Sequence, residues 1–137
     1  MKKVFADSCY WIALLDPSDS LHLKAEDVSK TLGNAIIITS EMVFIEVLNS
    51  LSKYGPRIRE ATVKILYELK RNSNAQVVLL TSLQFNNALK LYGEYADKEW
   101  GLVDCSSFQI MRNYDIKEAL TDDKHFQQAG FSPLLKD

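Results

Sequence analysis

Four short, largely apolar runs punctuate this chain: Val4-Phe5-Ala6, Ala35-Ile36-Ile37-Ile38, Val77 to Leu80 and Ala119-Leu120-Thr121. They do not alternate apolar with polar residues, so each must be covered on both faces, as strands of a parallel sheet are. Parallel neighbours cannot be joined by a hairpin and need a crossover, normally a helix. The stretches between the runs have the length and periodicity that such helices require. The pattern therefore predicts an α/β fold: a three-layer α/β/α sandwich around a mostly parallel central sheet of four or five strands.

The crossovers read as follows. Cys9 to Leu15 is a short buried helix stopped by Asp16-Pro17, and Leu21 to Leu32 is amphipathic, with Leu21, Ala25, Val28 and Leu32 on one stripe. Thr39-Ser40 caps a helix over Glu41 to Lys53, which Gly55-Pro56 ends. Arg57 to Arg71 buries Ile58, Ala61, Ile65 and Leu69, and Ser82 to about Glu99 buries Leu83, Ala88, Leu91 and Tyr95. Ser106 to Tyr114 is a further helix, and Phe131 to Leu135 adds an edge strand that tolerates Pro133.

At 137 residues the chain is expected to form one domain spanning 1–137. Its composition, 47% apolar with five Gly and three Pro, excludes disordered and collagen-like classes. The longest apolar run, Cys9 to Leu15, is far short of the roughly 18 to 20 residues a membrane helix needs. Asp7-Ser8 interrupts what might otherwise imitate a signal peptide after Lys2-Lys3, so Met1 reads as the mature start of a cytoplasmic protein. The two cysteines, Cys9 and Cys105, fit a reducing compartment, and with His22 and His125 they show no paired zinc-ligand spacing. A formal charge of −2 excludes gripping nucleic acid by overall positive charge, but not a local basic edge or bound cations.

In open α/β sheets ligands collect beyond the carboxyl ends of the strands, and Asp7 and Asp123 fall there. Asp104 stands at the junction of Gly101-Leu102-Val103 with the following helix. Glu46 lies within an otherwise apolar helical stretch. Each acid has a plainer use: the three Asp as helix caps or turn residues, Glu46 as part of an exposed stripe with Asn49 and Lys53. Brought into one crevice, the four carboxylates would raise one another's pKa and call for a hard divalent cation such as Mg²⁺ or Mn²⁺. Such a site suits phosphodiester hydrolysis.

At these residues the chain resembles PIN-domain ribonucleases, specifically the small kind that includes VapC-type toxins. The blocks carrying the resemblance are the strand ending in Asp7-Ser8, Thr39 to Glu46, Gly101 to Ser106, and Ala119 to Phe126, in the family's order. The resemblance implies that Asp7, Glu46, Asp104 and Asp123 form a metal site for Mg²⁺ or Mn²⁺. It implies an endoribonuclease acting on RNA, commonly a homodimer, with a cognate antitoxin if the protein is a toxin. The family's Thr-x-Asp pattern selects Asp123 over Asp122. Ser8, Thr121 and Asp122 remain as groups that could orient ligands.

His125 is read as a loop histidine near the site, without a catalytic role. Arg57, Arg59, Lys64, Arg71, Arg112 and Lys124 are candidate RNA-backbone contacts or simply solvated helix faces, and Tyr10, Trp11 and Trp100 could stack bases or pack in the core. Two other functions use the same fold: a non-catalytic interaction module whose acids cap helices, and a Mg²⁺-dependent phosphatase or receiver-like domain.

Overall fold

The computed structural model describes residues 2–137; Met1, read above as the mature start, lies outside them. In chain order the elements are β1 (Lys3–Ala6), α1 (Ser8–Leu15), α2 (His22–Lys30), β2 (Ile36–Ser40), α3 (Glu41–Leu51) and α4 (Pro56–Arg71). β3 (Ala75–Val78), α5 (Ser82–Glu94), α6 (Leu102–Asn113), β4 (Glu118–Leu120), α7 (Lys124–Gln128) and β5 (Ser132–Pro133) follow. The strands form one five-stranded sheet in the order β3-β2-β1-β4-β5, and every pairing is parallel. From β1 the chain steps outward to β2 and β3, then returns past β1 to β4 and β5. Right-handed crossovers therefore put α1 to α4 on one face and α5 to α7 on the other. The expected three-layer α/β/α arrangement follows.

The central strand is the most deeply buried: Val4, Phe5 and Ala6 are fully inaccessible. On one side Val43, Val47 and Leu51 project from one stripe of α3, with Phe44 beside them. Trp11 Nε1 donates to Thr39 Oγ1 at 3.2 Å, and that hydroxyl donates to the Ala6 carbonyl at 2.8 Å, tying α1, β2 and β1 together. On the other side Phe108 is the hub of an aromatic cluster, with ring centroids 4.9 Å from Trp100, 5.0 Å from Phe126 and 5.7 Å from Phe131. Local signals agree with these placements. Ser40 accepts the Val43 N–H to cap α3, and Gly55, at φ +97°, makes the turn into Pro56 at the start of α4.

Several boundaries differ from the expectation. β3 is Ala75–Val78 rather than Val77 to Leu80, because the ladder to β2 pairs Ile37 with Ala75 and Ser40 with Val78, leaving Leu79 and Leu80 exposed. α5 stops at Glu94, just after Gly93, and packs through Ala88 and Leu91. Leu83 is 70% exposed and Tyr95 also lies open, since α5 packs chiefly against α6 and its outer face is uncovered among the described residues. α6 begins at Leu102, so Asp104 sits inside its first turn. In α4 the buried positions are Thr62 and Leu69, with Ala61 exposed. Only Ser132–Pro133 of the Phe131 to Leu135 stretch pairs as a strand.

Truncating the hub residue, Phe108→Ala, leaves a cavity beneath α6 and is expected to cost about 3–5 kcal/mol. Urea denaturation will show this as a lower midpoint with an unchanged slope.

Candidate metal centre

β1 is where the chain's direction across the sheet reverses, its neighbours β2 and β4 being reached by crossovers on opposite faces. The crevice this opens beyond the strand ends is the usual ligand position of an open α/β sheet. Asp7 is the first residue after β1 and is 5% exposed. It precedes α1 at the cap position, yet its side chain makes no cap hydrogen bond. Instead its Oδ2 accepts the Thr121 hydroxyl at 3.0 Å. Thr121, the residue after β4, also accepts the Asp123 N–H at 3.1 Å and lies 3.2 Å from Cys9 Sγ. One hydroxyl thus fastens the ends of β1 and β4 and fixes the turn that carries Asp123.

The remaining acids come from three helices. Asp104 Oδ2 accepts the Gly101 N–H at 3.1 Å and lies 3.0 Å from His125 Nδ1. Asp123 caps α7, its Oδ1 accepting the His125 N–H at 2.9 Å and standing 3.4 Å from the same ring nitrogen. Glu46 stands on α3, exposed at the rim, with the Ser8 hydroxyl acting on it. The charges of Asp104 and Glu46 both bear on Asp7, and those of Asp104 and Asp123 bear on Glu46. The four predicted acids therefore lie near enough for their charges to act on one another, while the ligand atoms that converge closely are those of Asp104, Asp123 and His125. Asp122 is exposed, and its charge and backbone bear on Cys9.

The electrostatics are those of a site lacking positive charge. Burial pushes the Asp7 carboxyl up to about 7, with Asp104 and Glu46 adding to the rise and the Ser8 N–H and Thr121 hydroxyl opposing it. Glu46 is open on one side, but its neighbours strip enough water from the carboxylate to raise its pKa, with Asp104 and Asp123 adding to the effect. Burial likewise raises Asp104, against the pull of the Gly101 N–H and His125. The Cys9 thiol beside Thr121 is pushed up to about 12 by burial and by Asp7, and as a soft donor it is disfavoured by hard cations. The donors left are hard carboxylate oxygens, which fit a divalent cation of the Mg²⁺ or Mn²⁺ type. Oxygen and nitrogen atoms of Asp104, Asp123 and His125 lie within 4.8 Å of one another.

His125, expected near the site as a loop histidine, does lie near it, but within the first turn of α7 and half-buried against Asp104 and Asp123. The signal was present in Asp123-Lys124-His125: an N-cap Asp that takes the N–H two residues on holds that residue's side chain beside its own.

A PIN domain is matched over residues 4–132. The chain belongs to the PIN-domain family. Its relatives include the 23S rRNA-specific endonuclease VapC20 of Mycobacterium tuberculosis, 26% identical over 129 residues that cover 93% of this chain and 95% of the relative. The crystal structure of that protein, described as a sarcin-ricin loop cleaving toxin, superposes with a TM-score of 0.83 over the same shares of each chain. FitAcB from Neisseria gonorrhoeae shares the fold at a TM-score of 0.64 and 12% identity, with 95% of each chain covered.

Other predicted contacts of this PIN domain sort by burial. Tyr10, Trp11 and Trp100 are core residues, and Trp100 stacks within the Phe108 cluster rather than facing solvent. Arg59 donates to the Ser52 carbonyl, and the Arg112 guanidinium lies 5.9 Å from the Phe131 ring centroid. Arg57, Lys64, Arg71 and Lys124 are exposed, Lys124 immediately beside Asp123.

Asp7 binds its proton more tightly folded than unfolded, so folding is least opposed where the group is protonated in both states, below its ordinary value of 3.8. The penalty grows as pH rises and is complete above about 7. In metal-free protein, Asp7→Asn is therefore expected to gain about 2–3 kcal/mol on wild type between pH 5 and pH 8. Paired urea titrations at the two pH values measure this directly. A constant difference would mean that Asp7 titrates normally.

Proposed function

We propose that this PIN domain is a divalent-metal-dependent endoribonuclease that hydrolyses RNA phosphodiester bonds, acting in the cytoplasm as the toxin of a toxin–antitoxin pair. The observation carrying the reading is the buried Asp7 carboxyl, raised to about 7 at the sheet's switch point and flanked by Glu46 and Asp104. A capping role does not account for it, because Asp7 makes no cap hydrogen bond. The similarity to VapC20, an endonuclease of 23S rRNA, supports RNA as the substrate class. It equally favours a nuclease over a phosphatase or receiver-like domain.

In this reading Asp7 and Asp104 are the principal ligands of Mg²⁺ or Mn²⁺, and Glu46 and Asp123 complete the site and position the attacking water. When bound, the cation makes water a nucleophile near neutral pH and offsets phosphate charge. The chain's own groups do the positioning. Thr121 holds Asp7 through its hydroxyl, His125 sets the relative orientation of Asp104 and Asp123, and Ser8 favours the charged form of Glu46. Lys124, exposed immediately beside Asp123, is available to a phosphate next to the scissile bond.

A homodimer is supported by exposed apolar residues on the α3–α4 side. Leu48 and Val63 line one shallow cleft there, and Val63 and Tyr67 line the next. Light scattering is expected to give twice the chain mass, and Val63→Asp to give a monomer.

Incubating purified protein with total cellular RNA tests the nuclease. Cleavage is expected with Mn²⁺ or Mg²⁺ and not with EDTA, and Asp7→Asn or Asp104→Asn should lower it about a hundredfold or more, a loss of roughly 3 kcal/mol of transition-state stabilisation. Cleavage that survives EDTA and both substitutions would refute the reading.

A further inference from the structure

Two of the five glycines stand where the backbone gives no reason for one. Gly33, Gly55 and Gly130 have positive φ, which favours glycine, whereas Gly93 and Gly101 do not. A Cβ added at either of these two would meet no atom within 4 Å, so no close approach excludes a side chain. Gly93 lies in the last turn of α5, where glycine weakens the helix relative to alanine. Gly101 is the N-cap of α6, a position that takes Ser, Asp or Asn at least as readily. Both line one cleft of about 430 Å³ between the end of α5 and the start of α6.

Aromatic residues stand on the same cleft. Tyr92 and Tyr95 line it and are 52% and 37% exposed. The Tyr95 ring lies against buried Trp100, with centroids 4.9 Å apart and planes tilted by 33°, a contact that restrains it. Lys98 and Glu99 add one charge of each sign to the lining, and Lys98 Nζ is further engaged by Asp97 at 3.2 Å. The cleft adjoins the metal centre: Gly101, part of its wall, donates its N–H to Asp104 Oδ2 at 3.1 Å.

We propose that this cleft holds one unpaired base of the RNA strand, beside the phosphate at the metal centre, with Tyr92 and Tyr95 as the surfaces on which the base stacks. The proposal rests on the reading of the chain as an RNA endonuclease. Every nucleobase has a π-face that an aromatic ring can cover, so such stacking binds a base without demanding a particular one. A base carries no charge, which suits a lining where Lys98 and Glu99 cancel, while the phosphates outside it keep to the cation. At Gly93 and Gly101 the missing side chains leave bare backbone for a planar ring to approach, and the volume lies within the roughly 300–1,000 Å³ of small-ligand sites. A base is favoured over a partner's side chain because the cleft adjoins the place where a phosphate must sit for hydrolysis, and a nucleotide carries base and phosphate together. Bases are free to splay out in this way in single-stranded segments, so the cleft selects unpaired RNA over duplex.

The probe is an RNA tetranucleotide of mixed sequence, kept uncleaved by EDTA and titrated into the ¹⁵N-labelled full chain. Its control is the abasic tetramer, with the same phosphates and no bases. The Gly93 and Gly101 backbone N–H resonances are expected to shift saturably with the first and not with the second. Tyr92→Ala should weaken binding about tenfold, as loss of one stacked base does, and Tyr92→Phe, which keeps the ring, should bind as wild type. Gly93→Leu, whose side chain enters the cleft, should weaken binding by a similar factor while the melting temperature holds or rises. Equal shifts with both probes, no shift at Gly93 and Gly101, or undiminished binding by Gly93→Leu would overturn the proposal. So would movement of these resonances with protein concentration alone, which assigns the cleft to a second copy. Cleavage of RNA by wild type in Mn²⁺ without these shifts removes the base site and leaves the nuclease reading standing; the shifts without cleavage keep the base site and remove that reading.

Discussion

The carboxyl of Asp7 is held in a place where its charge is strongly disfavoured, and the arrangement of the site follows from how that is sustained. Val4, Phe5 and Ala6 precede it on the central strand, all fully buried. Apolar burial along β1 drags the next residue into the same low-dielectric surroundings, because a strand of a doubly covered sheet cannot leave its layer within one residue. Packing energy distributed over the core therefore offsets an electrostatic penalty localised at one atom pair. The penalty is kept rather than relieved: among the described residues the one side-chain hydrogen bond to Asp7 comes from the neutral Thr121 hydroxyl, and no lysine or arginine bonds to it.

Thr121 gives the crevice its rigidity. Its side chain donates to Asp7 and accepts from the Asp123 N–H, so the two strand ends that flank the switch point move as one unit. The Asp123 carboxylate takes the His125 N–H, and His125 meets Asp104 at the start of α6. Four elements are thus linked by short hydrogen bonds in series, β1 to β4 to α7 to α6, while Glu46 approaches from α3 on the opposite layer. In the proposed metal site these carboxylates would be restrained from both layers of helices, which would reduce the ordering cost of binding a cation.

The fold was legible where one physical term dominates. Ala35 to Ile38 reads as a doubly covered strand, and β2 lies there but runs on to Ser40, while Gly55-Pro56 falls at the boundary between α3 and α4 as expected. Ladder register depends on the partner strand, which is why Val77 to Leu80 was placed two residues late, at the most apolar stretch rather than the paired one. Leu83 and Tyr95 were expected inside because periodicity shows which face is apolar, not whether anything covers it. The acids were legible through their positions after strands and on an apolar helix. Asp104 was placed at a junction instead of inside a first turn because Gly101-Leu102-Val103 reads as strand and helix alike. The contact of His125 with Asp104 spans 21 residues and depends on how α6 and α7 pack, which local spacing does not encode.

A net charge of −2 opposes the approach of a polyanion, and the four crevice carboxylates alone outweigh that charge. The acidity that repels phosphate is therefore concentrated at the one place where a divalent cation can reverse it. Elsewhere the exposed cations of α4 and Lys124 are spread over helix faces, each contributing to non-specific attraction without neutralising the whole molecule. If the proposed nuclease function holds, binding of RNA and of the ion would be coupled by this layout, since the carboxylates that repel a phosphate are the ones a cation would neutralise. A uniformly basic protein of the same fold would hold RNA more tightly, but it would lack a single site at which attachment and chemistry coincide.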